Sequence, residues 1–144
     1  SSSPSVSLAS AIARPTSFAG GFEWPVGGSL LSRFGSKGGG KVNDGIDVAA
    51  PIGSKVTAAG SGVVVYSGNE INVYGGLVLI DHGSGLISAY GHLGTLNVQR
   101  GDRVKQGQLL GSVGTTGYAK QPQLHFEIRK DRKPLDPLTK LPPR

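Results

Sequence analysis

Gly62-Val63-Val64-Val65-Tyr66 decides the fold class: the run is too short for a buried helix, and its β-branched and aromatic side chains suit a pleated, half-buried strand. Outward from it, short runs of Val, Ile and Leu recur in both directions, and turns bearing glycine separate nearly all of them. Strands are predicted over 46–49, 55–58, 62–67, 76–82, 85–91, 108–113 and 123–129. None of this stretch has helical periodicity of useful length. Between Val98 and Leu110 a Gly-x-x-Val rhythm, carried by Gly101, Val104 and Gly107, places a tight turn before and after one short strand. The expected architecture is all-β, an antiparallel sheet folded into a barrel or a sandwich.

A chain of 144 residues makes one compact domain with a modest core and is too short for two. Hydrophobic residues are 37% of the chain, gathered into runs instead of spread evenly, so a folded core is expected. The 24 glycines and nine prolines fit many tight turns between short strands. Residues 1–20 are rich in Ser, Ala and Pro and read as a linker, with one short helical turn near Leu8 to Ala13. The folded domain is expected over 21–144, opening at Phe22-Glu23-Trp24-Pro25, where proline enforces an extended segment. Gly38-Gly39-Gly40 predicts a mobile loop.

With no cysteine, the chain has no disulfide, thiolate metal site or cysteine nucleophile. Opening Ser1-Ser2-Ser3-Pro4 and lacking methionine, it is expected to be a processed product or a fragment, with any signal peptide removed. Apolar stretches such as Leu77-Val78-Leu79-Ile80 fall far short of the roughly 20 residues of a membrane helix, so no membrane insertion is expected. Fifteen Lys and Arg against nine Asp and Glu give a net charge of +6, which suits an anionic partner such as wall polymer or an acidic protein surface. Nucleic-acid-binding motifs are absent, and no nucleic-acid partner is expected. The cluster Arg129-Lys130-Asp131-Arg132-Lys133 reads as the solvated turn of a terminal hairpin.

Three histidines and Asp47 are the candidate zinc ligands or proton shuttles near strand ends. A lone histidine is more often a satisfied structural residue than a catalyst, and His82, in Asp81-His82-Gly83, is read that way. The other two have more informative surroundings. Asn43-Asp44-Gly45-Ile46-Asp47, Tyr90-Gly91-His92-Leu93 and Gln123-Leu124-His125-Phe126-Glu127-Ile128 follow one another with glycine-rich strands between. With Asp47-Val48-Ala49-Ala50-Pro51 and the Gly101-Asp102-x-Val104-x-x-Gly107-Gln108 turn, they make the span from Phe22 to Leu138 resemble the LytM (M23, lysostaphin-type) zinc endopeptidase family. The resemblance implies a duplicated-hybrid-motif, barrel-sandwich-like domain with an open groove. In active members the first motif reads His-x-x-x-Asp and the last His-x-His. By that likeness Asp47 and His125 fall on two of the three zinc-ligand positions and Asn43 on the third, while His92 and Gln123 fall on the two catalytic-histidine positions.

Amides therefore stand at two of those five positions. A catalytic zinc needs about three protein ligands at roughly 2.0–2.2 Å and an open position for water. Asp47 and His125 supply two, and the neutral amide oxygen of Asn43 suits harder cations better than zinc. Disturbing even an outer partner of a ligand costs about 10- to 100-fold in metal affinity or activity, so losing an imidazole ligand should cost at least as much. Gln123 cannot take and return a proton near neutral pH, a function worth roughly 10²–10⁴-fold. The expectation is no zinc cofactor and no enzyme activity. Asp47 and His125 also have plain structural readings, Asp47 as an acceptor for local backbone amides and His125 as filling beside Phe126, with residual weak metal binding as the alternative.

A hydrolase scaffold that keeps its groove but cannot cut retains what recognition needs. Within the family, Phe126-Glu127-Ile128-Arg129 and the tail Pro134-Leu135-Asp136-Pro137-Leu138 ending Leu141-Pro142-Pro143-Arg144 look most like the degenerate murein hydrolase activators of the NlpD, EnvC and DipM kind. That likeness implies a periplasmic regulator of cell-wall remodelling in division, with glycan-binding LysM repeats upstream. The implied partners are N-acetylmuramoyl-L-alanine amidases, lytic transglycosylases and peptidoglycan itself. Candidate contacts for a docked partner segment are Asn43, Asp47, Tyr74, Tyr90, His92, Gln123, His125 and Arg129, since aromatic and arginine side chains are the usual anchors. Tyr90 and His92, two apart on one strand, are expected to share a face and both look into the groove. Two other readings stay open: a zinc endopeptidase with an altered ligand set, and passive attachment to peptidoglycan through the basic rim. A biotinyl or lipoyl carrier, which shares the Gly-Asp-x-Val turn, is excluded because neither Met-Lys-Met nor Asp-Lys-Ala occurs.

Overall fold

The computed structural model describes residues 21–38, 41–117 and 119–142. Its strands are β1 (Ser29–Ser32), β2 (Gly35–Gly38), β3 (Lys41–Asn43), β4 (Ile46–Ala49), β5 (Lys55–Thr57), β6 (Gly62–Ile71), β7 (Gly75–Gly83), β8 (Leu86–Leu96), β9 (Arg103–Val104), β10 (Leu109–Val113), β11 (Gln123–Lys130) and β12 (Lys133–Leu135), followed by one 3₁₀ turn at Pro137–Thr139. Ten of them form a single antiparallel sheet in the order β9-β6-β7-β8-β11-β4-β1, with β10 bridging β5 and β8, and β12 paired to β11. β2 and β3 form a separate two-stranded ribbon. The sheet runs from β9 to β1 without closing on itself, so the barrel alternative is not formed.

Period-two alternation builds the core. Ile46 and Val48 of β4, Val78 and Ile80 of β7, and Leu124, Phe126 and Ile128 of β11 all turn inward and are buried. Their odd-numbered neighbours on β4 and β11 are left on the opposite face, which is where the site lies. Each of the seven predicted strands is present, with β6, β7 and β8 longer than predicted. The rhythm around β9 also holds: Gly101 and Gly107 take φ of +97° and +87°, a region that only glycine enters freely, and they flank the two-residue strand. The terminal hairpin forms as expected, with Asp131 and Arg132 at positive φ between Lys130 and Lys133. Sequence reading misses β1, β2 and β3, which are short, and poor in β-branched residues. The predicted linker, its helical turn, and Gly39 and Gly40 of the predicted loop lie outside the described residues; Gly38 ends β2.

Both ends of the described chain are fastened to each other and to the sheet. Trp24 Nε1 donates to the Pro142 carbonyl at 2.8 Å, Glu23 N to Ala59 O at 2.9 Å, and Gln106 Nε2 to the Gly21 carbonyl at 3.1 Å. Phe22 is buried and meets the ring of His82 edge-on at 5.1 Å. Among the described residues no helix is long and apolar enough to cross a membrane.

Candidate functional site

β11 lies between β4 and β8, in a register that sets His125 against Asp47 on one side and Gly91 on the other. The outward face of β11 then carries Gln123, His125, Glu127 and Arg129 in a row. His125 Nδ1 is 2.7 Å from Asp47 Oδ1, and its Nε2 is 2.7 Å from Glu127 Oε2. Carboxylates only accept, so both ring nitrogens must donate, and the ring is an imidazolium. Burial disfavours that charge most strongly of all the influences, but the hydrogen bonds and charges of Asp47 and Glu127 together outweigh it and hold the His125 pKa up at about 9.

The row continues in both directions. Glu127, 1% exposed, accepts Nε and Nη2 of Arg129 at 2.8 and 2.7 Å and the Tyr74 hydroxyl at 2.7 Å. Burial raises the Glu127 carboxyl, but the His125, Tyr74 and Arg129 partners more than offset this and hold it below the usual range. Tyr74 comes from the turn joining β6 to β7, and its ring lies 5.6 Å from that of His125. Gly91 makes that approach possible, because a Cβ there would stand 3.2 Å from Tyr74 Cδ1 and 3.5 Å from His125 Cβ. Burial, then the bond to Glu127, pushes the Tyr74 hydroxyl up to about 12, so it donates throughout the neutral range.

Asn43 closes the other end. The Gly45 N–H points at the Asn43 side chain at 3.0 Å; since that group only donates, the atom it meets is the amide oxygen. The NH₂ is thereby turned toward Asp47 Oδ2 at 3.1 Å and Ser32 Oγ at 2.9 Å. An amide donor thus faces Asp47 from the position where the family motif carries an imidazole lone pair.

His92 stands beside this row, its ring 6.0 Å from that of His125. It sits at a β-bulge: Gly76 pairs with Leu93 and Val78 with Tyr90, so two β8 residues face one on β7. His92 takes φ of +66°, an uncommon conformation for a residue with a side chain. It is held there by its N–H to Tyr74 O at 2.7 Å, by Gly114 N–H to its carbonyl at 3.0 Å, and by Nδ1 to Thr116 O at 2.8 Å. Burial, with the positive charge of His125, keeps its pKa below the usual value.

The bulge corrects one expectation. Tyr90 does not share a face with His92 and is no groove contact; it is fully buried, packs at 5.3 Å on Phe126, and accepts the Ala59 N–H at 2.9 Å. Strict alternation assumes a regular strand, and the extra residue resets it. Asn43, Asp47, Tyr74, His125 and Arg129 are brought together in one hydrogen-bonded row, with His92 beside it and Gln123 at the start of the β11 face. Sequence reading missed Glu127, Ser32 and Thr116 as parts of the site. Glu127 had a legible signal, since His125-x-Glu127 on a strand puts both on one face.

The description of peptidase family M23 matches residues 41–137. The chain belongs to peptidase family M23. This M23 domain is 46% identical over 129 residues to the cell division protein DipM of Caulobacter vibrioides, covering 85% of this chain and 21% of that protein. It is 41% identical over 123 residues to the murein hydrolase activator NlpD of Escherichia coli, covering 85% of this chain and 32% of that one. Among solved structures it is similar to a zinc-containing peptidase from Vibrio cholerae, with a TM-score of 0.75 and 31% identity over 82% of this chain and 39% of that one. The chain therefore spans between about a fifth and a third of the length of these two relatives.

In this M23 domain the side chains at the family's three zinc-ligand positions bond to one another, Asp47 receiving both His125 and Asn43. Both His125 nitrogens carry protons bound to carboxylates, the Asn43 oxygen is taken by Gly45, and its NH₂ faces Asp47. Among the described residues no group of three or more His, Cys, Asp or Glu is placed to hold a metal ion.

Proposed function

We propose that this M23 domain is a non-catalytic regulator of cell-wall remodelling, which docks a segment of a peptidoglycan hydrolase in its groove and raises that enzyme's activity by binding its active state preferentially. The proposed partners are N-acetylmuramoyl-L-alanine amidases, with lytic transglycosylases as further candidates, and the proposed location is the periplasm. The observation that carries the reading is the His125 ring, bonded to a carboxylate at each nitrogen. The names of DipM and NlpD support the division and murein-activation parts of it.

The test is release of dye from labelled sacculi by a purified periplasmic amidase. Adding the domain is expected to raise the rate, and a folded Tyr74→Ala, Arg129→Ala double variant to lose both binding and stimulation. Unchanged affinity and stimulation in that variant would place docking elsewhere.

A further inference from the structure

The formal charges along the floor of the site are already paired within the domain. Asp47, His125, Glu127 and Arg129 alternate in sign along one row of contacts at 2.7–2.8 Å and sum to zero. Their hydrogen-bonding capacity is nearly spent as well. Asn43 uses its oxygen and its NH₂, Asp47 both oxygens, His125 both nitrogens, and Glu127 accepts from three residues.

Two groups remain uncommitted. His92 is 7% exposed and its Nδ1–H is donated to the Thr116 carbonyl, which leaves Nε2 with a lone pair and no partner among the described residues. The side-chain amide of Gln123 likewise has no hydrogen bond among the described residues. The two are neighbours through Gly114, which accepts the Gln123 N–H at 3.3 Å and donates its own N–H to the His92 carbonyl at 3.0 Å.

Resting on the docking reading above, we infer that the partner segment is anchored here by an uncharged hydrogen-bonding group, a primary amide or a peptide unit, which donates to His92 Nε2 and accepts from the Gln123 amide. A carboxylate brought to this point meets the His92 lone pair as acceptor against acceptor, and the cations of the row, His125 and Arg129, are already bound to carboxylates. An ammonium donates to Nε2 but finds the carboxylates of the row, Asp47 and Glu127, already paired. An amide carries a donor and an acceptor side by side and satisfies both groups at once.

The test measures affinity for the same purified amidase by interferometry, with thermal unfolding confirming that each variant folds. Gln123→Leu keeps the length and removes only the amide. His92→Asn suits the positive φ and keeps an N–H for Thr116, but lacks the Nε2 acceptor. Each is expected to weaken binding roughly tenfold, the scale of leaving one buried hydrogen-bonding group unmatched. In the wild-type complex, ¹⁵N spectra are expected to show the neutral Nε2 of His92 shifted upfield by an accepted hydrogen bond. Wild-type binding with both variants unaffected would overturn the anchor and leave docking standing; no wild-type binding would sink both.

Discussion

At the scale of single residues, Glu127 has the largest consequence. It is a buried carboxylate that balances two cations, the His125 imidazolium and the Arg129 guanidinium. Removing one member of a buried, paired set leaves the others uncompensated, which typically costs about 3–5 kcal/mol. Glu127→Ala is expected to lose stability on that scale in urea unfolding at neutral pH, and a loss below about 1 kcal/mol would contradict the pairing described. The same residue shows where sequence reading stops. Asp47, His125 and Asn43 stand out because their spacing matches a known motif. Glu127 can be placed on the His125 face by strand spacing, but its burial and its bond to Tyr74 come from the tertiary structure, which no strand pattern reports. Asn43 was legible as an amide where the family motif reads histidine, but which of its amide atoms faces Asp47 depends on Gly45 N–H, a backbone contact that no residue pattern reports.

At the scale of elements, a buried polar chain ties β7 and β8 to the segment entering β6. His82 Nδ1 donates to Ser61 O and Nε2 lies 2.7 Å from Ser88 Oγ, which in turn is 2.7 Å from the Tyr90 hydroxyl that accepts from Ala59 N. With neutral His82 every donor has an acceptor: Tyr90 donates to Ser88, and Ser88 to Nε2. Protonating Nε2 reverses the chain and leaves the Tyr90 O–H without an acceptor in it, at the cost of an unsatisfied buried group. Burial sets the depressed pKa of His82, against the opposing Ser61 bond and Asp81 charge. Below pH about 6.5 the unfolded chain takes a proton at His82, and another at His92, that the folded chain refuses, so stability falls as pH drops. His125 works with the opposite sign: its contribution is full below pH about 6.5 and is lost as pH rises through about 9. Urea midpoints are therefore expected to peak near pH 6.5 and decline on both sides; a flat profile from pH 5 to 9 would contradict these assignments. The strands themselves were legible because Val, Ile and Leu cluster between glycines. The bulge at His92 was not, since nothing in Tyr90-Gly91-His92 states that two residues will face one across the ladder.

At the scale of the whole molecule, the site lies on the face of β4 and β11 opposite the core, where Tyr74 reaches over His125 and Glu127 from the β6–β7 turn. In this M23 domain, an internal hydrogen-bonded row runs from Ser32 through Asn43, Asp47, His125 and Glu127 to Arg129. That row crosses from β1 to β11 and is expected to stand without a metal ion. The most direct measurement is calorimetric titration of zinc into the chelator-free domain at pH 7.5, followed by dialysis and metal analysis. No stoichiometric zinc is expected to be taken up or kept. One tightly held zinc per chain, with cleavage of wall peptides by the loaded domain, would contradict the account.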